Sequence, residues 1–118
     1  MILYVYTKCS TCQKALSFLE QNKIAFTSKE ITLTPPSKTE LKSMLKFMNE
    51  NLKKLFNSSG QLYRELDMSN KLKTMPEDVA ITLLSQNGML VKRPFLISDH
   101  FGLTGFNEAI WALQLKSQ

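Results

Sequence analysis

Cysteine and histidine, which build most zinc sites and disulfide frameworks, are scarce in this chain of 118 residues. It has one Cys-x-x-Cys pair, Cys9 and Cys12, and a single histidine, His100. A structural zinc site needs about four ligands, and no second cysteine pair is present to supply them, so zinc binding is disfavoured. A permanent structural disulfide is also disfavoured, because a bond between cysteines this close restricts the unfolded chain very little.

Long apolar runs are also missing. No stretch of about 18 apolar residues occurs, so we expect no transmembrane helix and no membrane partner. The N-terminus lacks the basic segment, apolar stretch and small-residue cleavage site of a secretory signal. The length of 118 residues and the hydrophobic content of 43% predict one domain over residues 1–118. The missing signal predicts the cytoplasm, where a cysteine pair is more often catalytic, redox-sensing or metal-binding than structural.

Acidic residues are outnumbered, with 10 Asp and Glu against 15 Lys and Arg, which gives a net charge of +5. A basic chain raises nucleic acid as a partner. However, only Lys53-Lys54 and Lys92-Arg93 are adjacent, and no aromatic residues interleave with a basic stripe. We therefore interpret the charge as a solvated, mildly basic surface and expect no direct binding of nucleic acid.

The cysteine pair lies between an apolar run and a stretch with helical periodicity. Residues 2–6 predict a strand, and the spacing of apolar residues after Ser10 predicts a helix that ends near Gln21. Cys9 would lie in the turn and Cys12 in the first helical turn, so unpaired backbone N–H groups and the positive end of the helix dipole would face the first sulfur. Such a field favours the thiolate, which is the nucleophile, and the second thiol could resolve an intermediate. Buried, inert thiols are the alternative interpretation.

The remaining segments predict the fold class. An alternating segment at 24–31 predicts a second strand, parallel to the first, which completes a βαβ unit. A helical block follows at about residues 37–86, and a ββα unit comes after it. This order predicts an α/β domain with a mixed sheet, in which a thioredoxin-like core carries a helical insertion.

Local signals predict where several helices begin and end. Ser37 to Glu40 has the sequence of a capping box. Asn87-Gly88 is expected to end a helix by adopting a left-handed conformation, and Asn107 is expected to cap the last helix. The residues expected on the buried face of that last helix are Ala109, Ile110, Trp111 and Leu113.

Six segments spread over almost the whole length match, in order, those of a known family. They are residues 6–15 around the cysteine pair, 35–37, 55–60, 63–66, 92–94 and 105–108. On these segments the chain resembles the arsenate reductase-like proteins, a thioredoxin-fold group that includes the Spx-type regulators. Each segment alone is a weak signal, whereas the ordered set is a strong one.

The resemblance implies roles for individual residues. Cys9 matches the family's nucleophile, Arg93 an arginine beside the active site, and Arg64 a second arginine of the anion site. Pro94 matches a proline with a cis peptide bond, which is expected to present an open carbonyl edge near the reactive sulfur. Lys8 is expected to be exposed, with a charge that helps the thiolate. Without the resemblance, both arginines would also fit solvated surface positions, and the proline would fit a trans bond.

Two departures from the family bear on the substrate. Glutathione-dependent arsenate reductases have one cysteine in the loop and a third arginine after the proline segment, whereas here Cys12 is added and no arginine follows Arg93. We therefore expect a thiol–disulfide oxidoreductase that cycles through a Cys9–Cys12 disulfide, with no bound cofactor and with glutathione or thioredoxin as the external reductant.

Two alternatives remain for the function. The runner-up is an Spx-type redox-sensing regulator that binds the RNA polymerase α subunit, and the third hypothesis is arsenate reduction. The central block at residues 49–56 lacks the glycine with which Spx-type regulators contact the polymerase, so the regulator is the second choice.

Overall fold

A mixed four-stranded sheet, in the order β2-β1-β3-β4, organises the computed structural model, which describes residues 1–116. β1 (Ile2–Val5) runs parallel to β2 (Thr27–Glu30) and antiparallel to β3 (Phe95–Ile97). β3 and β4 (Gly102–Thr104) form an antiparallel hairpin. The expected α/β class with a mixed sheet is confirmed.

Helices occupy most of the chain between the strands. The α-helices of the described residues are α1 (Ser10–Gln21), α2 (Lys38–Phe47), α3 (Gln61–Glu65), α4 (Met68–Lys71), α5 (Glu77–Gln86) and α6 (Glu108–Lys116). Short 3-10 helices lie at Leu52–Leu55 and Gly88–Leu90. The element order therefore has a helical block between the βαβ and ββα units, as expected.

The sheet separates two apolar clusters because alternate residues of a strand point to opposite faces. On β1, Tyr4 belongs to the cluster that the helical block covers, whereas Leu3 and Val5 belong to the cluster beneath α1 and α6. Cys12 is a fully buried member of that second cluster. The cysteine loop is thus anchored to the core through the first turn of α1.

The helix ends confirm two of the three local predictions. Ser37 and Glu40 form a reciprocal capping box at α2, and the Asn107 side chain accepts the Ile110 N–H at 3.0 Å at the start of α6. α5 ends before Asn87 as expected, but the reason given was wrong. Neither Asn87 nor Gly88 has a positive φ.

Gly88 is instead required by a close approach of two backbone segments. A Cβ atom at this position would lie 2.0 Å from the Ile31 carbonyl oxygen. Glycine is the one residue without a Cβ, so it alone allows the 3-10 helix at Gly88–Leu90 to lie against the end of β2.

The buried face predicted for α6 was largely wrong. Trp111 is buried, but Ala109 is exposed, and Ile110 and Leu113 are 55% and 78% exposed. Successive helical residues are rotated by about 100°, so four residues within five positions cannot share one face. Trp111 and Leu115, which are four positions apart, form the buried face instead.

Candidate redox site

Cys9 is the N-cap residue of α1, with φ −96° and ψ 114°. Its Sγ accepts the backbone N–H of Cys12 at 3.3 Å, and its own N–H donates to the Tyr6 carbonyl at 3.0 Å. A cap residue lies where the first helical N–H groups have no helical partner, so its side chain can accept one of them. Cys9 remains partly exposed. The predicted position in the turn is confirmed, and the sulfur is both hydrogen-bonded and accessible.

Cys12 lies in the first turn of α1 and has no exposed surface. Its Sγ accepts the Tyr6 backbone N–H at 3.5 Å. Both cysteines are free thiols. Cys9 is therefore partly open to solvent, whereas Cys12 is not.

The two thiols differ in acidity because their surroundings differ. Burial favours the neutral form of Cys9, but hydrogen bonds from the Cys12 side chain and backbone, together with the Arg93 guanidinium, outweigh it and lower the pKa of Cys9. Burial and the adjacent Cys9 sulfur raise the pKa of Cys12 to about 12. At neutral pH Cys9 is thus the more acidic thiol of the pair, and Cys12 is a protonated thiol.

Arg93 lies beside this loop, just before β3. Its guanidinium carbon is 5.0 Å from the centroid of the Tyr6 ring, a cation–π geometry. One of its N–H groups faces the Met89 carbonyl at 3.5 Å and the Met89 sulfur at 3.6 Å. Its charge acts on both thiols and on the Glu30 carboxylate. Arg93 therefore lies near the cysteine loop, and its role in catalysis stays a prediction.

A carboxylate that sequence reasoning missed holds the loop from the other side. Glu30, at the end of β2, accepts the Thr7 hydroxyl at 2.6 Å and the Thr7 N–H at 3.1 Å. Tyr6 was missed as well, although it contacts Cys9, Cys12 and Arg93. The available signal was position, because both residues lie at the ends of the parallel strands from which the loop emerges.

Pro94 follows Arg93 through a cis peptide bond. Its carbonyl accepts the Gly105 N–H at 2.9 Å. The expected cis bond is present, and the Pro94 carbonyl takes part in pairing the β3 and β4 segments. A role of Pro94 at the cysteine loop stays a prediction.

The other two predicted site residues have no contact with the cysteines in the part of the chain that the structure describes. Arg64 is exposed on α3 and donates to the Ser59 carbonyl at 3.3 Å. Lys8 is exposed next to Cys9. Their roles in anion binding and in thiolate stabilisation stay predictions.

Residues 1–116 contain neither a cluster of metal ligands nor a membrane-spanning helix. No group of three or more His, Cys, Asp or Glu side chains is arranged to hold a metal ion. Separately, no helix in this range has both the length and the apolar character needed to span a bilayer.

Three comparisons with known proteins bear on the site. A relative from Bacillus subtilis (strain 168), "Uncharacterized protein YusI", is 42% identical over 108 residues that cover 92% of this chain and 92% of the relative. The crystal structure of a "possible arsenate reductase" from Streptococcus mutans UA159 is 35% identical, has a TM-score of 0.87 and covers 96% of each chain. The "Global transcriptional regulator Spx" of Bacillus subtilis (strain 168) is 26% identical over 90% of this chain and 79% of the regulator.

The family match itself is longer than any single motif. The ArsC family matches residues 4–112. This range includes the cysteine loop, the Arg93-Pro94 segment, half of β1 and all of the other three strands, and the structure has the thioredoxin-like arrangement of the family. The chain belongs to the ArsC family.

Proposed function

We propose that the chain is an arsenate reductase-like thiol–disulfide oxidoreductase that cycles between a Cys9/Cys12 dithiol and a Cys9–Cys12 disulfide. The observation that supports this most directly is the contrast between the two thiols. Cys9 is accessible and acidified at the N-cap of α1, whereas Cys12 is buried one turn inside the helix. Structural cysteines have no need of that asymmetry, but a nucleophile and its resolving thiol do.

In the first step the Cys9 thiolate attacks one sulfur of a substrate disulfide, R–S–S–R′. The new bond joins Cys9 Sγ to R–S, and R′–S⁻ leaves and takes a proton from solvent. Arg93 stabilises the thiolate before the attack. The product is a mixed disulfide at the one sulfur of the pair that solvent reaches.

In the second step Cys12 Sγ attacks Cys9 Sγ and expels R–S⁻, which accepts the proton that Cys12 loses. The Cys9 charge is already gone at this stage, so one of the causes that raise the pKa of Cys12 is removed. The Tyr6 N–H and the Arg93 charge both favour the Cys12 thiolate as it forms. The substrate has gained two electrons and the protein dithiol has lost them.

An external thiol returns the protein to its starting state. Two molecules of glutathione, or one thioredoxin-type dithiol, supply the two electrons and reduce the Cys9–Cys12 disulfide. Both systems operate in the cytoplasm, which is the compartment that we propose for this chain. Such a reductant would attack the Cys9 sulfur, because Cys9 is the partly exposed cysteine of the pair.

Mass spectrometry of the intact protein tests the proposal. Wild-type protein treated with glutathione disulfide should lose two hydrogen atoms, with no adduct at the end point. Cys12→Ser should instead accumulate one glutathione adduct on Cys9, because the resolving thiol is gone. Cys9→Ser is the matched control and should stay unmodified, because its remaining thiol is buried.

The contrary results are equally distinct. A wild-type protein that stays reduced under conditions that oxidise a comparable dithiol would refute the cycle. An adduct on Cys12 in the Cys9→Ser protein would refute the assignment of the two roles. A redox cycle with exchanged roles would remain in the second case.

Arsenate is the second candidate substrate, favoured by the Streptococcus mutans relative and by Arg93 beside Cys9. We expect slow arsenate-dependent oxidation of glutathione or thioredoxin, because no arginine follows Arg93. One missing charge-assisted contact costs about 1.5–3 kcal/mol. A rate of arsenate turnover that exceeds that of disulfide reduction would make arsenate the principal substrate.

The relationship to Spx favours a test of redox-controlled binding to the RNA polymerase α subunit. In that function the same cysteine pair would report oxidation to a binding surface instead of turning over substrate. A pull-down of the α subunit with oxidised and with reduced protein separates the two functions. Binding that follows oxidation would replace the enzyme by a regulator, and its absence in both states would remove the regulator.

A further inference from the structure

We infer that Tyr6 is a positioning residue, whose aromatic ring holds the Arg93 guanidinium at the reactive Cys9 sulfur. The inference deepens the proposed function, because it states what makes the nucleophile ready before a substrate arrives. The test measures thiol reactivity and not turnover, so it can fail or succeed separately from the redox cycle.

Tyr6 contacts each functional group of the site through a different part of the residue. Its carbonyl accepts the Cys9 N–H at 3.0 Å, and its N–H donates to Cys12 Sγ at 3.5 Å. Its ring lies 5.0 Å from the Arg93 guanidinium carbon. The two backbone contacts are available to any residue except proline, so the side chain was free to be chosen for the third contact.

The ring solves a problem that a lone arginine would have at this position. A long arginine side chain loses much of its rotamer freedom when it is held in one place. Here the flat guanidinium has an aromatic surface on one side and the Met89 carbonyl and sulfur at one edge. These supports restrict Arg93 in advance and leave its charge directed at the cysteine loop.

The ring is itself fixed by the fold. Tyr6 follows β1 directly, and its side chain packs against the apolar cluster beneath the helical block. Arg93 precedes β3, which pairs with β1. The two residues are therefore brought together by neighbouring strands of one sheet, which fixes their separation.

The charged and titratable groups around Cys9 limit how the test is interpreted. Cys12 on α1 and Arg93 before β3 act directly on the Cys9 thiol. Glu30 at the end of β2 acts on Arg93 and is bound to Thr7. A substitution at Tyr6 changes no charge, so its effect on Cys9 must pass through the placement of Arg93 or through the loop backbone.

A double-mutant cycle separates these two routes. Rates of iodoacetamide alkylation at Cys9 are measured by peptide mass spectrometry from pH 5 to 9. The proteins compared are wild type, Tyr6→Leu, Tyr6→Phe, Arg93→Gln and the Tyr6→Leu/Arg93→Gln double variant. Leucine removes the ring and phenylalanine keeps it.

We expect Tyr6→Leu to slow alkylation at pH 7 about threefold or more, in line with the strength of a cation–π contact. The midpoint of its pH profile should move upward. Tyr6→Phe should restore the wild-type profile, and Tyr6→Leu should have no further effect in the Arg93→Gln background. This combination of results shows that the ring acts through the guanidinium.

Three outcomes would overturn the inference. The first is a wild-type profile for Tyr6→Leu, and the second is an equal slowing by Tyr6→Leu with and without Arg93. The third applies even if Tyr6→Leu does not fold, because it uses wild-type protein alone. Nuclear Overhauser contacts between the Tyr6 ring and the Arg93 side chain should be observed, and their absence would exclude the proposed placement.

Discussion

The Glu30 carboxylate binds Thr7 twice, accepting its hydroxyl at 2.6 Å and its backbone N–H at 3.1 Å. Thr7 lies two residues before Cys9, and Glu30 ends the parallel neighbour of β1. The contact therefore fixes the chain just before Cys9 to the sheet. It also lowers the pKa of Glu30, chiefly through the Thr7 hydroxyl.

We predict that Glu30→Ala loosens this loop without unfolding the protein. The Thr7 amide should lose about fivefold in protection from hydrogen exchange, since an exposed hydrogen bond contributes about 1 kcal/mol net. Glu20→Ala is the matched control, because Glu20 is an exposed carboxylate on α1 away from this contact. Unchanged Thr7 exchange in Glu30→Ala, or equal changes in both variants, would contradict the predicted role.

The same contact predicts a pH dependence in the acid range. A carboxyl whose pKa is lowered in the folded state stabilises the protein above its unfolded-state pKa, and this contribution is lost as the pH falls through the folded-state value. Thr7 protection should thus persist at pH 5 and disappear below the ordinary carboxyl range. Glu30→Gln should be insensitive to pH over that range, and a titrating Gln variant would assign the effect to another group.

The proposed role of Cys9 as the nucleophile predicts the order in which the two thiols react. Limiting iodoacetamide at pH 7 should modify Cys9 before Cys12, because Cys9 is partly exposed and acidified while Cys12 is buried and protonated. Arg93→Ala should slow the labelling of Cys9, since it removes a charge that stabilises the thiolate. Arg64→Ala is the matched control and should have little effect, because Arg64 contacts the Ser59 carbonyl.

Peptide mapping of the labelled protein decides between the two roles. Equal labelling of both cysteines, or faster labelling of Cys12, would exchange the nucleophile and the resolving thiol. An Arg64→Ala protein that slows as much as Arg93→Ala would instead place both arginines at the thiolate, as the family resemblance implies.

The close contact at Gly88 leads to a prediction about the stability of the fold. Gly88→Ala should lower the free energy of unfolding by about 1–3 kcal/mol, because the new Cβ would meet the Ile31 carbonyl oxygen at 2.0 Å and force the backbone apart. Gly60→Ala is the matched control. Its nearest neighbour is the Asn57 amide nitrogen at 2.8 Å, at the movable end of a side chain. Urea unfolding of both variants measures the difference, and equal losses would contradict the explanation.

The parts of the fold that sequence reasoning predicted are those set by neighbouring residues. The strand, turn and helix around Cys9 follow from an apolar run, a cap position and helical periodicity, all within the first 21 residues. The capping box at Ser37 is a local signal of the same kind. α4 was not predicted, because it has only four residues and follows Asp67, whose backbone is in a left-handed conformation. Packing of the helical block, not local preference, must hold such a segment.

The site divides in the same way. Cys9, Cys12 and Arg93 were found from a motif and a family resemblance. Glu30 and Tyr6 were missed because their roles depend on strand pairing, which brings Glu30 to a loop 23 residues earlier and brings Tyr6 to an arginine on another strand segment. A single sequence contains no direct record of such pairs.

The buried thiol of Cys12 leads to the last prediction, which concerns stability at high pH. Burial raises the pKa of Cys12 to about 12, so the folded state keeps a proton that the unfolded chain has lost above about pH 9. Stability from this group is complete below the unfolded-state value and is lost as the pH rises toward the folded-state value. Between pH 9 and 11 the loss should reach about 1–2 kcal/mol.

Urea unfolding under reducing conditions should show a steeper decline for wild type than for Cys12→Ser, whose hydroxyl does not titrate. All other side chains are the same in both proteins, so parallel declines would mean that Cys12 ionises without cost in the folded state.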